Sequence, residues 1–584
     1  MKPWPRRLFV VSLVASLSLS ACTGAEDLDP LPSTAAAADS FLDAFNEGDY
    51  ETMASMFAEG VAAEWSEERL ARWLNGRLEE GAIETVIARR SATPLQPRPT
   101  PTEEDGAAPV YEPVSVAYEV AYNSGATPQT VSLEGRFELV FDTADQSWLV
   151  DWSPEFVWPG VEDAAGFAIL SRFPKRAPIK DRDGRILATG HAGERRYPFG
   201  SLAGSTIGHI ETTTTDDDDT PAGSLVGGSG LEAAFEEQLA GTPTIRLAIV
   251  DGDDKPIERF APFPGIAGRT LKTTLDVEVQ QAAESAYPSS QVGGAVVIQP
   301  STGDVLAVVD SSEFGPGNYV GATGVSPFNR ALVGRYPPGS TMKVIPTSAA
   351  LDSGVMTPGT MLSGPKEYKG VRNFESSAYA SLSLADALKF SVNTAFAQVA
   401  ERLGENRMTK YAELFGFNRE PRDERIVAGS QYPPPAGSLS DLMWSAIGQA
   451  QVLATPLQMA TVAATIANDG RRMEPRFSLD QPKKGKRVVS QQTAAEVTAM
   501  MEAVVQGGTG VNANISGLSL AGKTGTAEVD VAGKRENHAW FISFAPSGDP
   551  RIAVAVVSEY GGVGGQVAAP IARQIYLNVM PVAP

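Results

Sequence analysis

Hydrophobic positions follow different rhythms in different parts of the chain. Phe41, Leu42, Phe45, Met53, Met56 and Phe57 recur at helical spacing, and a second helical pattern runs through Leu70, Trp73, Leu74 and Leu78. The period then changes to two. Val114, Val116, Tyr118, Val120 and Tyr122 alternate with polar neighbours, as do Val131, Leu133, Phe137, Leu139 and Phe141, and then Trp148, Val150 and Trp152. Such alternation predicts half-buried antiparallel strands. From about Pro159 to Arg269 the chain is glycine-rich and weakly periodic. Beyond Thr270, the apolar runs Ala295 to Ile298 and Val305 to Val309 flank the turn Pro300-Ser301-Thr302-Gly303. Ala539 to Phe544 and Ile552 to Val557 pair likewise across Ser547-Gly548-Asp549-Pro550, and Ala568 to Leu577 reads as a helix. A sheet built from both ends of a region, with helical insertions between, predicts an α+β arrangement.

Composition narrows the class. At 584 residues several domains are expected, and a formal charge of −22 argues against nucleic acid as a partner. One cysteine and three histidines leave no intrachain disulfide and no convincing metal set, so neither metal nor cofactor is expected. The start is basic (Lys2, Arg6, Arg7) and then apolar from Leu8 to Leu19, too short to span a bilayer and suited to an export signal. Leu19-Ser20-Ala21-Cys22 resembles the bacterial lipobox. That resemblance implies cleavage before Cys22, diacylglycerol on its thiol, and an exported, membrane-anchored body. An ordinary secretory signal with an incidental cysteine is the alternative. Asp216 to Asp219, in the acidic tract from Thr212, lack the spaced ligands of a calcium loop and read as solvated. The proline-rich stretch from Thr93 to Pro113 also reads as a loop.

The candidate chemistry gathers around Tyr336-Pro337-Pro338-Gly339-Ser340-Thr341-Met342-Lys343. Two prolines and a glycine predict a turn, after which Ser340 opens a helix whose unpaired N–H groups favour developing negative charge. Lys343, three residues on, shares a helix face with Ser340, so a nucleophile and its base fall together. Pro346 stands six residues after the serine, where a helix running on from Ser340 would be kinked at a cost of ~3 kcal/mol. Ser-x-x-Lys alone arises by chance roughly once or twice in such a chain. Here Ser391-Val392-Asn393 and Lys523-Thr524-Gly525-Thr526 follow in order. The three strings together are the set found in penicillin-binding proteins and class A β-lactamases. Asn329-Arg330-Ala331, Ile447-Gly448-Gln449, Thr455-Pro456-Leu457-Gln458 and Ala527-Glu528 surround them.

Across nearly its whole exported length the chain resembles a class B penicillin-binding protein. Arg176 to Ala188 and Gly230-Leu231-Glu232-Ala233-Ala234-Phe235 look like that family's pedestal, or dimerisation, domain. The helices-then-sheet region opening at Asp39 to Tyr50 resembles a nuclear-transport-factor-like cone. A cone in this place is a feature of the methicillin-resistance branch. With the lipobox, the chain resembles the actinobacterial penicillin-binding lipoproteins. The expected organisation is a signal peptide over 1–21, a tether over 22–34, the cone over 35–155, the pedestal over 156–270, and the transpeptidase domain over 271–584. That last domain should be an antiparallel sheet with helices on both faces. No glycosyltransferase region precedes the pedestal, so the bifunctional class is not expected.

The resemblance implies a peptidoglycan D,D-transpeptidase that takes D-Ala-D-Ala stem peptides as substrates and β-lactams as acylating mimics. Ser340 would attack. His191 and His209 lie in the pedestal region and His538 matches a structural position, so Lys343 is the expected base. Lowering its pKa by ~3 units means ~4–5 kcal/mol against the charged form, from burial and from Lys523. Ser391 would pass the proton to the leaving amine, while Asn393 would hold Lys343 and the donor peptide. Lys523, Thr524 and Thr526 suit a terminal carboxylate, and Gly525 would let the strand approach the acyl chain. By resemblance the N–H groups of Ser340 and Thr526 form the oxyanion hole. Division or elongation proteins are expected partners. The same motifs also serve a β-lactamase, although the Glu-x-x-Leu-Asn string of class A is absent between Ser391 and Lys523, a D,D-carboxypeptidase, or a non-catalytic β-lactam-binding scaffold.

Overall fold

The computed structural model describes residues 33–100, 110–214, 223–312, 314–324, 327–374 and 377–584. The expected signal peptide, Cys22 with most of the expected tether, and Asp216 to Asp219 lie outside the described residues. The chain forms two compact units, residues 1–172 with 244–264, and residues 173–243 with 265–584.

The first unit begins with α1 (Thr34–Glu47), started by the Ser33 side chain, which accepts from the Ala36 N–H, and ended by Gly48 at φ 70°. The helical spacing from Phe41 to Phe57 is therefore carried by two helices, because Gly48 stops the first and Asp49 caps Tyr50–Ser55. Next comes α2 (Glu67–Glu80), burying Leu70 and Leu74. The antiparallel sheet runs in sequence order through β1 (Ile83–Arg90), β2 (Val114–Ser124), β3 (Val131–Asp142) and β4 (Ser147–Asp151). Along β2 the alternation predicted from sequence is realised: Val114, Val116, Tyr118, Val120 and Tyr122 are all buried. Phe41, Phe45, Phe137 and Phe156 fill the interior, with Phe156 stacked on Tyr118 at 4.5 Å and the Tyr118 hydroxyl donating to the Phe156 carbonyl at 2.6 Å.

Three further strands, β5 (Gly166–Arg172), β6 (Thr244–Val250) and β7 (Pro256–Arg259), form a small sheet in the order β7-β6-β5. Phe167, Leu247 and Ile249 join the core of this first unit. The pedestal expected over 156–270 spans all three of these strands. Strands separated by more than seventy residues carry no local signal of their pairing, and shared burial decides it.

In the second unit the two motifs quoted above meet. Glu232 is fully buried and takes Arg176 at 2.8 Å and Arg195 at 2.7 Å, while Arg176 also reaches Glu236. The central sheet has five antiparallel strands. They are β8 (Gly293–Gln299), β9 (Asp304–Asp310), β10 (Ala521–Val531), β11 (Lys534–Ala545) and β12 (Ile552–Ser558), in the order β9-β8-β12-β11-β10. Both predicted hairpins are present, with Ile298 opposite Val305 and Ala545 opposite Ile552. The inner strands are apolar on both faces because helices cover both. On one face Val297, Phe541 and Val554 pack with α3 (Val277–Ala286) and α8 (Ala568–Val579). On the other, Val296, Trp540 and Ala553 pack with the inserted helices.

Candidate active site

Local sequence builds the serine turn. Gly339 adopts φ +53° after the two prolines, and Gly339 to Lys343 wind as a 3₁₀ turn before α4 (Val344–Asp352) begins. The break between the two helical forms resolves the position of Pro346. It is the third residue of α4, within the first turn, where N–H groups have no intrahelical acceptor. Pro346 therefore removes no α-helical bond, and the kink expected from a helix running on from Ser340 does not arise. Every residue from Val344 to Leu351 is buried.

The turn is braced from two sides. Gly339 N–H donates to the Gly448 carbonyl at 3.0 Å, and a side chain on Gly448 would lie 2.1 Å from the Gly339 oxygen. Tyr336 pairs with Ala454 through both backbone bonds, at 3.0 and 2.8 Å. Strand β10 closes the other side. A Cβ on Gly525 would meet the Pro338 oxygen at 2.8 Å and Thr341 Cγ2 at 3.0 Å. The missing side chain of Gly525 thus faces the serine turn and lets strand and turn touch.

Lys343 is fully buried. Its Nζ donates to the Ser391 carbonyl at 2.8 Å, to Ser391 Oγ at 3.1 Å and to Asn393 Oδ1 at 2.7 Å, and it stands over the Phe396 ring at 5.3 Å. Ser391 follows α5 (Leu384–Lys389) and precedes α6 (Asn393–Phe415). It sits at φ +58°, a left-handed conformation that a serine adopts at a cost and that the flanking helices impose. This bend turns both oxygens of Ser391 toward Lys343. Lys523, also fully buried, donates to the same Ser391 Oγ at 2.9 Å and to the Thr524 carbonyl at 3.0 Å. One hydroxyl therefore bridges two amines.

Two ammonium groups sharing one oxygen out of contact with water cannot both be comfortable. Burial, and after it the charge of Lys523, hold Lys343 well below the ordinary lysine range. Burial pushes Lys523 down to about 7. Asn393 accepts from Lys343 and donates its amide to the Arg372 carbonyl at 2.9 Å. Ser340 is half-buried, and its hydroxyl enters no hydrogen bond among the described residues.

Thr524 and Thr526 lie on β10 beside this cluster. Their hydroxyls meet partners that sequence reasoning missed. Thr524 Oγ1 is 2.6 Å from Thr509 Oγ1, and Thr526 Oγ1 accepts from the Gly564 N–H at 3.2 Å. The only available signals were glycine clusters, Gly507-Gly508-Thr509-Gly510 and Gly561-Gly562-Val563-Gly564-Gly565. A Cβ on Gly564 would fall 2.1 Å from the Gly525 oxygen. The Ser340 turn and Thr526 abut directly, since a Cβ on Gly339 would lie 2.9 Å from the Thr526 oxygen. His538 belongs to the scaffold: its Nδ1 accepts from the Tyr560 N–H at 3.2 Å, and its ring meets Tyr336 edge-on at 5.3 Å.

A hydroxyl on a helix-opening turn, a buried amine one turn away, a second hydroxyl between two amines and a strand edge with threonines suit acyl transfer through a serine.

Comparison with known proteins places that arrangement in a lineage. The penicillin binding protein transpeptidase domain matches residues 293–577, the penicillin-binding protein dimerisation domain 189–273, and the NTF2-like N-terminal transpeptidase domain 33–165. The chain is 35% identical over 377 residues to the peptidoglycan D,D-transpeptidase PbpA of Mycolicibacterium smegmatis, covering 56% of this chain and 76% of that protein. Pseudomonas aeruginosa PBP2 in complex with WCK 5153 aligns with TM-score 0.60 at 30% identity, over 69% of this chain and 96% of that one. The imipenem acyl-enzyme complex of Mycobacterium tuberculosis penicillin-binding protein A aligns with TM-score 0.56 at 29% identity, over 70% and 99%. The chain belongs to the penicillin-binding protein transpeptidase family.

Proposed function

We propose that the chain is a peptidoglycan D,D-transpeptidase that uses Ser340 as nucleophile and is acylated there by β-lactams. The observation that carries this is the burial of Lys343 against Ser391 and Asn393, one turn from Ser340.

As an ammonium, Lys343 spends its three hydrogens on Ser391 O, Ser391 Oγ and Asn393 Oδ1 and has nothing to offer Ser340. As a neutral amine it keeps two donors and gains a lone pair. Ser340 Oγ attacks the carbonyl carbon between the two terminal D-alanines while its proton passes to that lone pair. Backbone N–H groups of Ser340 and Thr526 receive the developing oxyanion, where each donor is typically worth ~3–4 kcal/mol. The proton then travels from Lys343 through the Ser391 hydroxyl to the leaving amine, and D-alanine departs. An amine of a neighbouring stem peptide attacks the Ser340 ester, gives up its proton along the same route, and leaves a cross-link with the serine restored.

The substrate carboxylate is held by the Thr524 and Thr526 hydroxyls, and Lys523 supplies the field behind them from its buried position. An arriving carboxylate favours the charged form of Lys523, which in turn keeps Lys343 neutral. The amide of Asn393 contributes a second hydrogen to the donor peptide.

Lipid attachment at Cys22, with the body outside the cytoplasmic membrane, belongs to the same reading and rests on the lipobox-like sequence. Partners in the division or elongation machinery rest on the family resemblance alone. Two assays test the reading. A donor stem peptide ending in D-Ala-D-Ala is incubated with an acceptor amine, and cross-linked, hydrolysed and unreacted peptide are resolved by mass spectrometry. Cross-linked product absent from Ser340→Ala is expected; hydrolysed donor alone would make the chain a carboxypeptidase. Loss of membrane association in Cys22→Ala checks the anchor.

A further inference from the structure

Away from the serine turn, the second unit contains a cavity of about 610 Å³. Its wall includes Arg472, about nine-tenths buried. Among the described residues the Nε of Arg472 has no hydrogen-bond partner, and no carboxylate lies within ion-pairing distance of its guanidinium. The neighbouring arginines differ. Arg476 pairs with Asp304 at 2.5 Å, and Arg422 pairs with Glu474 at 2.6 Å. Burial and the nearby charge of Arg419 both disfavour the charged form of Arg472, and only Glu474 opposes them.

A buried guanidinium without a partner is costly and cannot escape by losing its proton, so the fold gains whenever an anion enters. The surroundings are built for that entry. Gly416, at φ +114°, has no side chain, and a Cβ there would lie 3.1 Å from Arg472 Nη1 and 2.9 Å from Gln458 Oε1. The cavity also meets the start of α7 (Pro456–Ala467), whose dipole presents its positive end. Arg419 and Lys484 add positive charge at the wall.

The other lining residues narrow the ligand. Val427, Leu457 and Phe477 offer apolar surface that a bare inorganic ion would not use. Glu420 and Asp423 also line the cavity, and they repel a doubly charged anion more than a singly charged one. We infer that this cavity is a second ligand site, distinct from the serine pocket, which takes a small organic monocarboxylate on the forked donors of Arg472.

The test is calorimetric titration of the full chain in detergent with N-acetylglycine as the monocarboxylate and inorganic phosphate as the competing chemistry. Saturable one-to-one binding of N-acetylglycine is expected, weaker by tenfold or more in Arg472→Met and weaker to a smaller degree in Arg419→Ala. Thr524→Val, which alters the carboxylate grip beside Ser340, should leave that binding unchanged. If Arg472→Met does not fold by circular dichroism, Arg472→Lys, which keeps the charge and loses the fork, should show the same weakening. Absence of saturable binding, undiminished binding in the Arg472 variants, loss of binding in Thr524→Val, or tighter binding of phosphate would each overturn the assignment.

Discussion

Replacing Lys523 by methionine should make the protein more stable at acid and neutral pH and progressively less so toward alkaline pH. Lys523 is fully buried, and its pKa falls from 10.5 to about 7 on folding. A shift of roughly 3.5 units corresponds to about 5 kcal/mol. Between pH 7 and 10.5 the unfolded chain binds more protons at this residue than the folded one, so stability rises with pH across that window. Below pH 7 the amine is charged in both states and the whole penalty of about 5 kcal/mol applies. Methionine removes the penalty along with the hydrogen bonds to Ser391 Oγ and the Thr524 carbonyl, each worth about 1 kcal/mol. The net gain is then about 3 kcal/mol at pH 6, shrinking by about 1.4 kcal/mol per pH unit above 7, to about zero near pH 9. Denaturant midpoints of wild type and variant, followed from pH 6 to 9.5, would measure the difference. A stability difference that does not change with pH would refute the assignment of a depressed pKa to this amine.

Other expectations follow from the contacts around the turn. Gly525→Ala puts a methyl group against Pro338, Trp540 and Thr341, so it should destabilise by about 1–3 kcal/mol and slow β-lactam acylation at least tenfold in stopped-flow measurements. Pro346→Ala should change stability by less than about 1 kcal/mol and leave the acylation rate within twofold, because no α-helical bond is gained at the third position of α4. Glu232→Gln leaves Arg195 buried with a neutral side-chain partner, while Arg176 keeps its pair with Glu236, and should cost about 3–5 kcal/mol in chemical denaturation.

Much of the fold is legible in the sequence where a pattern is local. The period-two run from Val114 to Tyr122 and the hairpins around Gly303 and Pro550 reappear as strands because each is specified within about twenty residues. Pairings across long separations are not legible. Nothing near Thr244 announces that it will lie beside Arg172. The site divides in the same way. Residue types and order mark Ser340, Lys343, Ser391, Asn393 and Lys523, and the structure brings their side chains or turns together. The left-handed bend at Ser391, which turns its oxygens toward Lys343, has no sequence signature, since left-handed serine is uncommon. Gly448, Gly525 and Gly564 are visible as glycines, but the atoms they make room for are not. The reason Pro346 is harmless lies in the change from 3₁₀ to α winding after Lys343, which composition does not reveal.

The central claim, that an uncharged Lys343 activates Ser340, is tested most directly by acylation kinetics of Lys343→Arg. Arginine keeps the positive charge and cannot give up its proton. With benzylpenicillin and intact-mass detection, the wild-type chain should gain one adduct on the peptide containing Ser340, at a rate that falls as acid protonates Lys343. The arginine variant, folded by circular dichroism, should gain none on the same timescale. Acylation of that variant at the wild-type rate would contradict the mechanism.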